Sequence, residues 1–138
     1  MACIFCDIVS GRAEASRVHE DEQVLAFMDI RPMTPGHLLV IPKQHATNLA
    51  ELDPDLAGPL FATAQRLAAA LRRSPLEPAG INLFLADGIA AGQEVFHVHL
   101  HVLPRNPGDG LGLRGSFQWP HRMTLDSPAG QIRNALPR

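Results

Sequence analysis

The sequence predicts a small α+β domain: about five short strands, one long amphipathic helix and short terminal helices. Three observations carry that expectation. Short apolar runs recur between turn signals, the size and spacing of buried strands. A single stretch after Asp53 repeats its apolar residues at helical spacing. Finally, 46% hydrophobic residues in a chain of 138 is enough for one core, so one domain over 1–138 is expected, with a core at 3–105 and a tail at 106–138.

The elements follow in order. Ile4 to Val9 is mostly apolar and runs into Ser10-Gly11, which reads as a short helix stopped by the glycine. Arg17 to Glu20 and Gln23 to Met28 flank a turn at Asp21-Glu22 and read as two strands. A turn-rich connection, 30–36, leads to the run HLLVI (His37 to Ile41), a buried central strand that Pro42 closes. Asp53-Pro54-Asp55 supplies an N-cap, a proline at the first helical position and an acidic first turn. Leu56, Leu60, Phe61, Ala64, Leu67, Ala68 and Leu71 then share one helical face. Pro59 removes a backbone donor within the early turns, so a kink or a later start is expected there. Ile81 to Leu85 and Phe96 to Leu103 complete the strands, separated by a loop, Asp87 to Val95, that contains Gly88 and Gly92. Beyond Pro104 the pattern thins to Gly, Pro and Arg, with a helical turn or two near Gln131 to Leu136. This tail is expected to cover the site or a partner subunit.

Composition narrows the function. A net charge of −2 and a pI of about 6.4 give no general attraction to nucleic acid or to an anionic membrane, so neither is expected as a partner. Any phosphate binding must come from a local arrangement. No stretch approaches the roughly 20 apolar residues of a membrane span. The start, MACIFCDIVSGR, lacks the basic-then-apolar order of a signal peptide, which points to the cytoplasm. Cys3 and Cys6 are too few for a disulfide framework, and a C-x-x-C pair in a reducing compartment binds metal or does redox work more often than it packs a core.

The strongest chemical signal is His97-Val98-His99-Leu100-His101-Val102-Leu103. Alternate residues of a strand share a face at spacings of about 6.5–7 Å, so His97, His99 and His101 would line one side. A solvated polar face is the bland reading, and histidine is an uncommon choice for it. Taken alone, the triplet leaves a metal site and a nucleophile about evenly matched. The preceding segment, DGIAAGQEV, tips the balance: Gly88, Gly92 and Gln93 form a loop permissive enough to turn backbone N–H groups toward an anion. Neutral imidazole is nucleophilic near neutral pH and attacks phosphorus without a strong base, provided its other nitrogen donates to a fixed acceptor.

In these residues the sequence resembles the histidine-triad superfamily. His97 to Leu103 matches its His-φ-His-φ-His-φ-φ signature, and CIFCDIVSG, DIRPMTPGHLLVIPKQH and AAGQEVFHVHLHVLPR resemble bacterial members over roughly residues 3 to 105. The portion GQEVFHVHLHVLPRNPGDG is similar to the fragile-histidine-triad branch of dinucleoside polyphosphate hydrolases, and the N-terminal half to the nucleotide-binding phosphoramidases. The resemblance implies a HIT-like fold on a mainly antiparallel sheet, commonly paired as a homodimer with a continuous sheet across the interface. It implies catalytic roles for His99 as nucleophile, His101 beside the phosphate and His37 in support. It implies nucleotide contacts from Asp29 at the ribose, from the phosphate loop Gly92, Gln93, Glu94 and Val95, and from Phe5 and Ile8 at the base.

Two positions depart from the pattern. Ala86 stands where relatives often carry Asn or Gln, and Glu94 where both branches carry Ser or Thr. A carboxylate aimed at a phosphate would repel it, so Glu94 is expected to offer its backbone N–H and turn its side chain away, or to meet a cation.

Cys3 and Cys6, with two histidines, would complete the Cys₂His₂ set of structural zinc. The resemblance implies His45 and His97 as those histidines. Such a zinc would pin the N-terminal segment to the histidine strand and leave catalysis without a cofactor. Phe5, Ile8, Phe27 and Leu39 lie where they could wall a base pocket. His19 and His121 read as surface residues, Trp119-Pro120 as packing or a contact to a neighbouring site, and Arg105 as the best of the scattered arginines for a phosphate contact.

The expected activity is hydrolysis at the α-phosphate of a purine nucleoside phosphoramidate or dinucleoside polyphosphate through a nucleotidyl-histidine. The rivals are nucleotidyl transfer to a phosphate or sugar phosphate, and a nucleotide-binding interaction protein.

Overall fold

The structure, a computed structural model, describes residues 2–137. Its elements are α1 (Ile4–Ser10), β1 (Arg17–Glu20), β2 (Val24–Met28), β3 (Leu38–Pro42), α2 (Pro54–Arg73), β4 (Gly80–Phe84), a 3-10 turn at Ile89–Ala91, β5 (Leu100–Arg105) and α3 (Arg122–Ala135). The strands form one sheet in the order β1-β2-β3-β5-β4, with every neighbouring pair antiparallel. The expected α+β class, the five strands and the long helix are all present.

Alternation along β2 and β3 divides the apolar residues between two layers. Val24 and Ala26 of β2, with Leu38 and Val40 of β3, pack with Leu60, Ala64, Leu67 and Leu71 of α2. Leu25, Phe27, Leu39 and Ile41 face the other way, onto Phe5 and Ile8 of α1. Both faces of the central strands are therefore covered, which is why HLLVI reads as an unbroken apolar run. The α1 layer is thin, and the cavity described below opens on that side.

Capping is as the residues require. Gly11, at φ 84°, ends α1 in the left-handed conformation, and its N–H returns to the Ile8 carbonyl. The Asp53 carboxylate accepts from Asp55 N–H at the start of α2. Of the kink or later start expected from Pro59, the later start does not occur: α2 is continuous over Pro54–Arg73 with Pro59 inside it. Asp53 and Pro54 nucleate the first turn, and Pro59 costs only one early donor.

The last strand departs further from expectation. Phe96 to His99 lie outside it, and β5 begins at Leu100. The connection after Pro42 pulls this segment from the ladder: Val98 N–H donates to the Ala46 carbonyl at 2.8 Å, and the His97 ring reaches the Pro42 carbonyl at 2.8 Å. His97 thus turns away from the side that His99 and His101 share, so the three imidazoles do not form one row.

The tail also differs. In place of a turn or two near Gln131, α3 runs over Arg122–Ala135, and none of its residues is buried. Residues 112–129 are exposed throughout, so the tail does not cover the cavity of its own chain. No described helix is long and apolar enough to cross a membrane.

Candidate active site

A cavity of about 690 Å³ lies on the α1 side of the sheet, within the size range of small-molecule sites. Register explains its floor. Phe27 pairs with Leu39, Leu39 with His101, and His101 with Phe84, so one row across four strands lines it from end to end. Phe5 and Ile8 of α1 close the apolar end, and Asp29, His37, His99, Gly92, Glu94 and Val95 complete the polar end. Every expected catalytic and nucleotide-contacting residue reaches this lining except Gln93 and Arg105.

Gln93 instead holds the loop together. Its Oε1 accepts from Gly88 N–H at 2.8 Å, and its amide donates to the carbonyls of Thr47 (2.7 Å) and Val95 (3.1 Å). Gly88 at φ 98° and Gly92 at φ 91° supply the backbone freedom the loop needs. The Glu94 and Val95 N–H groups make no hydrogen bond among the described residues, which leaves them available at the cavity wall.

The hydrogen bonds fix the histidine tautomers. Met33 N–H donates to His37 Nδ1 at 3.1 Å, so the His37 proton sits on Nε2. That Nε2–H donates to His101 Nδ1 at 2.8 Å, which places the His101 proton on its own Nε2. The Asp29 carboxylate lies 3.5 Å from His37 Nε2 as a second, longer attraction. His99 Nδ1–H donates to the His97 carbonyl at 2.7 Å, leaving the His99 Nε2 lone pair unprotonated. Burial lowers the pKa of both His37 and His101, and His101, also next to His99 and His37, falls to about 4. With His99 neutral, the site offers one free imidazole lone pair beside the His101 N–H.

Packing holds these rings. Phe84 stacks on His101 with centroids 4.1 Å apart and an 8° interplanar angle. Phe5 meets His99 edge to face at 5.2 Å and 87°.

These are the features of a known fold and triad. A match to the HIT domain spans residues 10–108. The chain belongs to the HIT family. An uncharacterised HIT-like protein of Mycobacterium tuberculosis is 47% identical over 136 residues, covering 99% of this chain and 94% of the relative. An adenylylsulfatase of Arabidopsis thaliana is 32% identical over 99% of this chain and 68% of its own length. Among solved structures, a HIT family protein of Bacillus subtilis superposes with TM-score 0.92 at 39% identity, covering 100% of this chain and 99% of the other. A zinc-bound histidine triad family protein of Mycobacterium smegmatis does so with TM-score 0.78 at 45% identity, covering 99% of each.

This HIT protein carries a second cluster on the far side of the His97 backbone. Cys3, Cys6, His45 and His97 each bring one donor atom within 4.8 Å of the other three. Cys3 Sγ lies 3.5 Å and Cys6 Sγ 3.6 Å from His97 Nδ1, Cys6 Sγ lies 3.3 Å from His45 Nδ1, and the two Nδ1 atoms are 3.1 Å apart. Tetrahedral zinc with bonds of about 2.0–2.3 Å sets its donors about 3.3–3.8 Å apart; the three sulfur–nitrogen separations fall in that range and the two Nδ1 atoms sit slightly closer. The tautomer fits too: His97 Nε2–H is spent on the Pro42 carbonyl, and Nδ1 keeps its lone pair.

The trio Asp29, His37 and His101 is equally close together but does not fit a cation. To bind one through Nε2, His37 would have to move its proton onto Nδ1, where Met33 N–H already points.

Sequence reasoning missed Phe84, Arg31 and the Met33 N–H. Phe84 could be found once β4 is registered against β5, whereas no local signal marks the other two. Arg105, expected as a phosphate contact, is held by Asp109 at 2.7 Å and braces the start of the tail.

Proposed function

We propose that this HIT protein hydrolyses a purine nucleotide at its α-phosphate through a covalent nucleotidyl-His99. The observation that carries the reading is the His99 tautomer: Nδ1–H donates to the His97 carbonyl, which leaves the Nε2 lone pair on a ring that lines a cavity with an apolar end and a polar end. The relative named as an adenylylsulfatase supports a substrate with a leaving group on a nucleotide phosphate.

In this mechanism Phe5, Ile8, Phe27 and Leu39 receive the base, and Asp29 holds the ribose. The N–H groups of Glu94 and Val95, with His101 Nε2–H, stabilise the phosphoryl oxygens. The His99 Nε2 lone pair forms a bond to phosphorus as the bond to the leaving group breaks, and the leaving group departs with that electron pair. Water then attacks the same phosphorus, the N–P bond returns its electrons to His99, and the nucleoside monophosphate is released. His37 acts through His101, fixing its tautomer.

The Cys3, Cys6, His45 and His97 cluster would hold a structural zinc, in line with the zinc-bound relative. Four protein ligands leave no open position, so the zinc would brace α1 against the segment carrying His99. A homodimer is part of the same reading, with the exposed tail as a contact to the second copy.

Intact-protein mass spectrometry after brief mixing with adenosine 5′-phosphoramidate tests the mechanism. Wild type should gain one adenylyl group transiently and His99→Ala should not. No adduct and no AMP across purine substrates would sink the hydrolase reading in favour of a nucleotide-binding protein. AMP release into water, compared with adenylylated products in phosphate buffer, separates hydrolysis from transfer.

A further inference from the structure

Glu94 is the residue that departs from the family pattern at the phosphate loop, and the structure pairs it with a cation. The Arg31 guanidinium, from the turn after β2, donates to the Glu94 carboxylate, 63 residues away in the loop before β5. Both residues line the cavity, on walls supplied by different segments of chain. Arg31 is the only Lys or Arg among the lining residues, whereas Glu14, Asp29 and Glu94 are acidic. Its backbone is fixed beside the ribose position, since Arg31 N–H donates to Asp29 Oδ1 at 2.8 Å.

In-line attack by His99 drives the leaving group out on the opposite side of phosphorus from the nucleophile. In the proposed reaction the N–H groups of Glu94 and Val95 hold the phosphoryl oxygens, which brings the Arg31–Glu94 pair on the same cavity wall within reach of a group bonded to that phosphorus. The Arg31 and Glu94 side chains are 78% and 69% exposed, and an ion pair this open is worth only about 0–1 kcal/mol. An incoming charge can therefore separate it.

Building on the proposed reaction, we propose that Arg31 and Glu94 form the leaving-group subsite and select the leaving group by charge. Arg31, parked on Glu94 in the free protein, moves onto an anionic leaving group such as a phosphate. The uncovered Glu94 opposes that anion, so the intact pair keeps the subsite close to neutral toward it. Removing either partner tilts the selection in a direction set by the charge that remains.

The test measures binding, and so does not require turnover. Calorimetric Kd values for AMP and for non-cleavable α,β-methylene-ADP give the effect of a β-phosphate, a stand-in for an anionic leaving group. Glu94→Gln should tighten the ADP analogue relative to AMP by at least about fivefold, and Arg31→Gln should weaken it relative to AMP by a similar factor. The double variant should return the ratio toward wild type. Ratios within twofold of wild type in both single variants, or shifts in the same direction, would overturn the proposal. Opposed shifts in a protein that forms no His99 adduct would support the charge-selecting subsite while removing the hydrolase reading. Failure to bind either nucleotide would overturn both.

Discussion

At the scale of single residues, the site depends on where three protons sit. His99 presents its Nε2 lone pair because its Nδ1–H donates to the His97 carbonyl, and His101 presents a donor because His37 points Nε2–H at its Nδ1. Removing His37 should leave His101 free to exchange tautomers while the cavity and the proposed nucleophile, His99, remain. His37→Gln should therefore lower kcat by about 10–100-fold and change KM little, as measured with a fluorogenic adenosine phosphoramidate. The same protons make stability depend on pH. His101 titrates near 4 in the folded chain against an ordinary 6.5. Between those values the unfolded chain therefore binds more protons, and stability falls as pH drops through that window. That difference corresponds to about 3 kcal/mol from this residue. Denaturant unfolding at pH 7 and at pH 4.5 should show a smaller loss in His101→Gln than in wild type, and equal losses would contradict the assignment.

At the scale of elements, α1 is seven residues long, far too short to hold itself together, and it supplies Phe5 and Ile8 to the cavity. Its attachments are that apolar face and the Cys3, Cys6, His45 and His97 cluster. Stripping metal with a chelator, or making Cys6→Ser, should lower Tm by about 5–10 °C and weaken AMP binding, because the base wall loosens with the helix. Unchanged Tm and Kd in protein shown to contain zinc beforehand would exclude a bracing role. Gly36 sets the start of β3 in a comparable way. It sits at φ 91°, where an added Cβ would come within 2.7 Å of Leu76 Cδ1 and 3.1 Å of Pro104 Cγ, one residue before His37. Gly36→Ala should cost about 1–3 kcal/mol in urea unfolding and reduce activity through displaced His37. Elements of this kind were legible in the sequence where local chemistry decides them: the Gly11 stop, the Asp53-Pro54 start and the apolar runs of β2 and β3. The segment Phe96 to His99 was not. Its alternation is strand-like, but bonds from His97 and Val98 to the Pro42–Ala46 segment outweigh the ladder, and no pattern within the histidine run encodes that distant partner. Nor did the row Phe27, Leu39, His101 and Phe84 show in any one segment, since it exists only once four strands are in register.

At the scale of the whole molecule, the chain divides into a packed sheet and a tail that buries none of its helix. Phe117 and Trp119 are 82% and 97% exposed, and Met123, Leu125, Ile132 and Leu136 of the tail also meet solvent. That much apolar side chain on one short segment, in a protein of small net charge, calls for a cover, and the core of its own chain does not supply it. A second copy is the cover in the homodimer proposed above, with symmetry making each tail both donor and recipient. Sedimentation analysis of the full chain should then give a dimer at micromolar concentration, and a chain ending at Leu111 should be monomeric or dissociate at least tenfold more readily. The truncated chain should keep its near-ultraviolet circular dichroism and its Phe84–His101 stack, because the tail contributes no buried residue beyond Arg105 to the sheet. If the truncated chain stays as tightly dimeric as the full one, the tail is not the interface. The unpaired outer edges of β1 and β4 would then be the surfaces through which two copies meet.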